Sequence, residues 1–213
     1  MTKKQLFNHL IEYFEINMPN AASELNYSNP YELLVAVILS AQCTDVRVNK
    51  ITPNLFLKYP TVNELANSTI DDIFALIRSC SYPNNKSKHL LGMAKMVCSD
   101  FNGTIPSDVE ELQAIPGVGR KTANVIASVI FNKPTMAVDT HVHRVSARIG
   151  LTSDAKTPLE TERQLVRYIP DSKIPIAHHW LILHGRYTCK ARKPICKDCG
   201  LTDVCKWYKL NMI

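Results

Sequence analysis

Four of the seven cysteines crowd the C-terminus: Cys189, Cys196, Cys199 and Cys205, in the spacing Cys-x6-Cys-x2-Cys-x5-Cys. Four thiols within so short a span, in a chain showing no secretion signal, point to metal ligation and away from disulfides. Two metals stay open on spacing alone. Structural zinc favours paired Cys-x2-Cys knuckles, of which one is present. One pair with two looser flanking cysteines suits wrapping an iron–sulfur cubane about as well. Between the first two cysteines lie Lys190, Arg192 and Lys193. A metal-stapled loop carrying three positive charges suits a phosphate backbone. Cys43, Cys80 and Cys98 fall in helical patterns and read as small core residues.

A second constellation is Ile115-Pro116-Gly117-Val118-Gly119-Arg120-Lys121-Thr122-Ala123. Pro116 stops an incoming helix, and two glycines allow a sharp turn and close approach by a partner. The outgoing helix begins with unpaired N–H groups, where a phosphate can dock. Val118 can plug the space between the helices. The alternative is an ordinary helix–helix turn. Beyond it, Ala123, Ile126, Ala127 and Ile130 form a buried stripe. Lys121 stands about 200° around the helix from Ala123, so it is expected to point away from the core with Asn124 and Ser128. An amine attacks only when neutral. The positive end of the helix dipole and the neighbouring Arg120 both disfavour a cation in that first turn. Lys121 is therefore a candidate nucleophile, with a phosphate-contacting surface lysine as the plainer reading.

Asp139 precedes a third helical stripe made by Val142, Val145 and Ile149, and reads first as a helix N-cap. A carboxylate fixed at a helix start also stays ionised, which suits stabilising a cationic transition state. His141 and His143 are two apart and share no helical face, so both read as structural or DNA-proximal.

The elements that must position these groups are helical. The first amphipathic helix runs from about Lys3 to Phe14, and Asn29-Pro30 caps a nearly all-apolar, central one. Further helices are expected near Asp45–Tyr59, Val62–Asn67, Ile70–Cys80 and Lys86–Phe101, with Asn102-Gly103 ending the last. Ser107 with Glu110, and Thr157 with Glu160, fit capping boxes. The sequence has 46% hydrophobic residues and a net charge of +6, so disorder is excluded and an anionic partner is favoured. The longest apolar run, Leu33 to Leu39, is far shorter than the ~20 residues of a membrane span. No membrane association is expected, and a cytoplasmic location is, near the nucleoid in a bacterium.

Together, and in this order, the hairpin, Val138-Asp139-Thr140-His141-Val142 and the cysteine spacing closely resemble the endonuclease III family. Ser40-Ala41-Gln42-Cys43-Thr44-Asp45 and the run from His178 to Cys189 add to the match, which covers nearly the whole chain. The resemblance implies an all-α fold of two helical lobes with a DNA cleft between them. One would be a six-helix barrel over residues 23–133. The other would join residues 1–22 to 134–213 and hold a [4Fe–4S] cluster on Cys189, Cys196, Cys199 and Cys205. It implies a bifunctional DNA glycosylase and abasic-site lyase of base excision repair, acting on double-stranded DNA with oxidised pyrimidines or abasic sites; an asymmetric cleft of this kind suits a monomer. Lys121 would displace the base and form a Schiff base, assisted by Asp139, and β-elimination would cut 3′ to the lesion. Gln42 would fill the gap left by the flipped base, and Gly117, Val118, Gly119, Arg120 and the loop cations would grip the backbone. Where the family has a Gly-hydrophobic-Tyr segment, this chain has Cys80-Ser81-Tyr82-Pro83, with Tyr82 the candidate wedge or, alternatively, a half-buried turn residue. The rivals are an adenine or thymine/uracil mismatch glycosylase of the same superfamily and a non-catalytic, zinc-stapled DNA-binding protein. Lys121 and the short tail after Cys205 speak against the mismatch enzymes.

Overall fold

The structure, a computed structural model, describes residues 1–212. Among them every regular element is helical: α1 (Lys3–Asn17), α2 (Pro30–Ser40), α3 (Asp45–Lys58), α4 (Val62–Ala66), α5 (Ile70–Ile77), α6 (Pro83–Asp100), α7 (Val109–Ala114), α8 (Arg120–Phe131), α9 (Thr140–Ile149), α10 (Pro158–Leu165), α11 (Ile174–Tyr187) and α12 (Lys206–Asn211). No helix is long and apolar enough to cross a membrane, among the described residues. Two compact units form, Ser23–Phe131 and Met1–Ala22 with Asn132–Ile213.

Ser23–Phe131 is built around α2. The Asn29 side chain accepts from the Glu32 N–H and Pro30 occupies the first helical position. Residues 31 and 33–39 of α2 are all buried, because α3, α6 and α8 surround it. Against α6 pack α4 and α5, and α7 pairs with α8.

The other unit threads α1 into the C-terminal half. Phe14 stacks on Trp180 with ring centroids 5.7 Å apart, and the Trp180 indole N–H donates to the Met18 carbonyl at 2.8 Å. Leu10, Val142, Val145, Ile149, Leu181 and Leu201 complete that core.

Several local expectations change. The α7 cap is Asp108, not Ser107: its carboxylate accepts from the Glu110 and Glu111 N–H groups, and a carboxylate complements the helix dipole better than a hydroxyl. The box of Thr157 with Glu160 is present. Helix α6 starts at Pro83, three residues earlier than expected, since Pro is favoured at a first helical position. Of the three cysteines assigned to cores, only Cys80 is buried, while Cys43 and Cys98 are half-buried.

Candidate active site

Helix α7 stops at Ala114, and the chain turns through Pro116-Gly117-Val118-Gly119 into α8. Ile115 and Val118 are buried and hold the turn onto the unit's core. Gly117 is left-handed, with φ +82°, and a Cβ there would stand 2.8 Å from Cβ of His89. Gly119 differs: a Cβ would meet nothing within 4 Å. Nothing within the chain requires glycine at that position, so the bare backbone is left open to a partner.

Lys121 is exposed in the first turn of α8, beside exposed Arg120 and Gly119. Asn124 and Ser128 are buried, not on an outer face with it. Helix α8 packs on both α2 and α7, so it buries every residue from Ala123 to Ser128 instead of one stripe. Lys121 escapes because it precedes that packed stretch.

Asp139 belongs to the other unit. It follows the buried Met136-Ala137-Val138 and caps α9. Its Oδ1 accepts the N–H groups of His141 and Val142, each at 2.8 Å, and its Oδ2 lies 3.1 Å from His141 Nδ1. The side chain is 14% exposed. Sequence reasoning found the cap and missed the His141 partner, which Asp-x-His at a helix start could have signalled. His143 turns instead to Thr161, with Nδ1 2.7 Å from Oγ1.

Among the described residues, six non-glycine residues have left-handed φ: Gln42, Tyr82, Asn102, Asn132, Asp154 and Lys193. Asn and Asp tolerate that region. The other three are all candidate DNA contacts, and strain of this kind collects at functional sites. Gln42 is exposed, and Tyr82 is 62% exposed, which rejects the half-buried alternative. Their two turns are joined from beneath by Lys86, a residue sequence reasoning passed over. Its buried amine donates to the carbonyls of Leu39 at 2.8 Å and Ala41 at 2.7 Å.

All four C-terminal cysteines line one pocket, together with His184, Arg148 and Trp207. Burial, then mutual repulsion with Cys189 and Cys205, pushes the Cys196 thiol up; burial does the same at Cys199. Burial also lowers His184, 3.8 Å from the Cys199 sulfur, to about 4. Arg148 donates to the carbonyls of Lys190 at 2.7 Å and Ala191 at 3.0 Å, and Arg144 to those of Gly185 and Cys189. The loop so held exposes Lys190, Arg192 and Lys193.

The pattern shared by the HhH-GPD superfamily base excision DNA repair proteins matches residues 35–171. Endonuclease III of Rickettsia felis is 44% identical over 98% of both chains, and that of Escherichia coli K12 is 41% identical over 90% of both. The chain belongs to the endonuclease III family. A solved member, a trapped endonuclease III–DNA covalent intermediate in an estranged-adenine complex, superposes over 100% of both chains with a TM-score of 0.94 at 42% identity. A thermostable thymine-DNA glycosylase, 22% identical with a TM-score of 0.88, shares the fold. As a member of the endonuclease III family, this chain is a base-excision repair enzyme, a DNA N-glycosylase with abasic-site lyase activity.

Proposed function

We propose that Lys121 is the nucleophile of this enzyme, that Asp139 is its electrostatic partner, and that the substrate is an oxidised pyrimidine in duplex DNA. The observation that carries this reading is an exposed lysine in the first turn of the helix leaving the Gly117–Gly119 hairpin. Once a damaged nucleotide is flipped from the stack, the neutral amine attacks C1′ and the base departs with its bonding electrons and a proton. The ionised Asp139 stabilises the positive charge developing on the sugar. The sugar opens to a Schiff base with Lys121. Loss of a C2′ proton then expels the 3′ phosphate by β-elimination. Gln42 and Tyr82, on strained exposed turns, are assigned to the space left in the duplex, where an aromatic ring can stack on bases. Gly117, Val118, Gly119 and Arg120 form the backbone grip at the hairpin, and Lys190, Arg192 and Lys193 form a second one.

We assign Cys189, Cys196, Cys199 and Cys205 to a [4Fe–4S] cluster. All four thiols line one pocket, and the chain belongs to a family whose members carry such a cluster, which supports iron–sulfur over a single zinc ion. A bound cluster would supply structural cross-linking of the basic loop, and the proton and bond changes above use Lys121 and Asp139 alone. We place the enzyme in the cytoplasm with the DNA it repairs.

The test is borohydride reduction during turnover of a duplex containing one thymine glycol. Wild type is expected to give a covalent protein–DNA adduct and Lys121→Gln none. Because Lys121 is exposed, that variant should keep its stability within about 0.5 kcal/mol. Base release by wild type without any adduct would overturn the lysine assignment.

A further inference from the structure

The chemistry above uses no residue of α6, yet Lys86, near its start, is bonded beside both exposed turns. Lys86 is buried. A lysine amine has three N–H bonds to donate, and each finds a partner: the Leu39 carbonyl at 2.8 Å, the Ala41 carbonyl at 2.7 Å and the Cys80 sulfur at 3.2 Å. Leu39 lies in the last turn of α2 and Ala41 is its C-cap. The amine thus satisfies carbonyls at the negative end of that helix. The Cys80 thiol donates in turn to the Leu39 carbonyl at 3.4 Å, which closes the network. The Ala41 carbonyl belongs to the peptide bond that enters Gln42, and Cys80 is two residues before Tyr82. The Lys86 N–H donates to the Tyr82 carbonyl at 3.1 Å. Gln42 and Tyr82 are left-handed, at φ 53° and 54°, and Tyr82 starts α6 with no side-chain cap bond. Such backbone persists only where its surroundings hold it.

We propose that Lys86 is a positioning residue for base flipping, whose amine locks the Gln42 and Tyr82 turns together so that both side chains enter the duplex as one preformed unit. The proposal rests on the assignment of those two turns to the duplex. Lys86 itself touches neither the sugar nor the lesion and acts through Gln42 and Tyr82. Two inserting groups held on one buried amine need no further ordering when DNA arrives, so the energy of insertion goes into opening the stack. Flipping costs most for a base that is paired and least for one already unpaired. The attack on C1′ comes afterwards and is the same in both cases. Loss of the amine should therefore slow release of a paired lesion far more than release of an unpaired one. A residue that only supported the fold would lower both alike.

Single-turnover release of thymine glycol by the holoenzyme is measured on two duplexes, with the lesion facing adenine in one and an abasic-site analogue in the other. Lys86→Met replaces the amine-bearing stem with an apolar one of similar length. Paired release should fall on the order of 10- to 100-fold, and unpaired release by less than about threefold. Lys86→Gln keeps two donors on a stem one bond shorter and should lose less on the paired duplex, with the same selectivity. It carries the comparison if far-UV helicity shows that Lys86→Met does not fold. In a Gln42→Ala/Tyr82→Ala background, Lys86→Met should add less than about threefold, because the turns then have nothing to insert. Equal losses on the two duplexes, unchanged paired release, or the full Lys86 effect in the double-alanine background would each overturn the proposal. Wild-type paired release by Gln42→Ala/Tyr82→Ala itself would instead overturn the assignment of those turns to the duplex. Borohydride trapping at Lys121 reads the chemical step separately from both.

Discussion

The Asp139 carboxylate and the His141 ring are locked together at the start of α9, with Oδ2 3.1 Å from Nδ1 while Oδ1 takes the His141 N–H at 2.8 Å. One oxygen thus satisfies helix N–H groups and the other fixes a neighbouring ring. A carboxylate restrained at both oxygens has little freedom to reorient, which is what electrostatic stabilisation of a transition state needs. The structural duty of this residue and the catalytic one proposed for it can be separated by substitution.

Asp139→Asn keeps an acceptor oxygen for the α9 N–H groups, whereas Asp139→Ala removes the cap and should cost about 1 kcal/mol. Both variants lose the negative charge, so base release should fall on the order of 10²-fold or more in each. Thermal unfolding and single-turnover base release, measured on both, check the separation. An Asn variant with wild-type turnover would reduce Asp139 to a helix cap.

The two hairpin glycines should respond in opposite ways. Gly117→Ala places a Cβ against His89 in a left-handed backbone, and should destabilise by roughly 1–3 kcal/mol. Gly119→Ala meets nothing within the chain, so stability should hold or rise by up to about 1 kcal/mol. Its affinity for duplex DNA should nevertheless drop, because the added methyl occupies space reserved for the partner. Urea unfolding beside a binding titration separates the cases. A Gly119→Ala protein with unchanged affinity would remove Gly119 from the interface.

Much of this was legible in the chain itself because it depends on short-range rules. Asn29-Pro30, Thr157 with Glu160 and Asp139 announce helix starts through groups only a few residues apart. The Cys-x6-Cys-x2-Cys-x5-Cys spacing likewise lies within one segment. What stayed hidden depends on tertiary packing. Asn124 and Ser128 look like outer-face residues until α2 and α7 close on both sides of α8. Lys86 carries no local signal of burial, although its amine is bonded to carbonyls 47 and 45 residues earlier in the chain. The left-handed backbone at Gln42, Tyr82 and Lys193 has no sequence signal, since none of these residue types prefers it.

His179 in α11 gives the enzyme an acid-sensitive element outside the reacting groups. Burial lowers it from 6.5 to about 4, so the unfolded chain binds this proton more readily than the folded one. The stability carried by the neutral ring is complete above about pH 6.5 and is lost as pH falls toward 4, amounting to no more than about 3 kcal/mol. His179→Gln should flatten that part of the pH–stability curve. Urea midpoints at pH 7.5 and pH 5 for both proteins measure it, and parallel curves would show that His179 does not drive the acid loss.

The basic loop offers a test in which stability and binding part company. Lys193 is exposed and left-handed at φ 51°, in a loop whose carbonyls at 190 and 191 are held by Arg148. Replacing it with glycine relieves backbone strain of about 1 kcal/mol but adds unfolded-chain entropy of about the same size. Lys193→Gly should therefore leave stability nearly unchanged, whereas Lys193→Ala keeps the strain and loses the charge. Both should weaken duplex binding uniformly across sequences and lower the salt dependence by about one phosphate contact. Arg148→Ala leaves the three loop cations in place but removes their anchor. If the loop must be held to engage the backbone, the salt slope falls by more than one contact in that variant. A slope equal to wild type in Lys193→Gly would mean that this loop does not meet the phosphates.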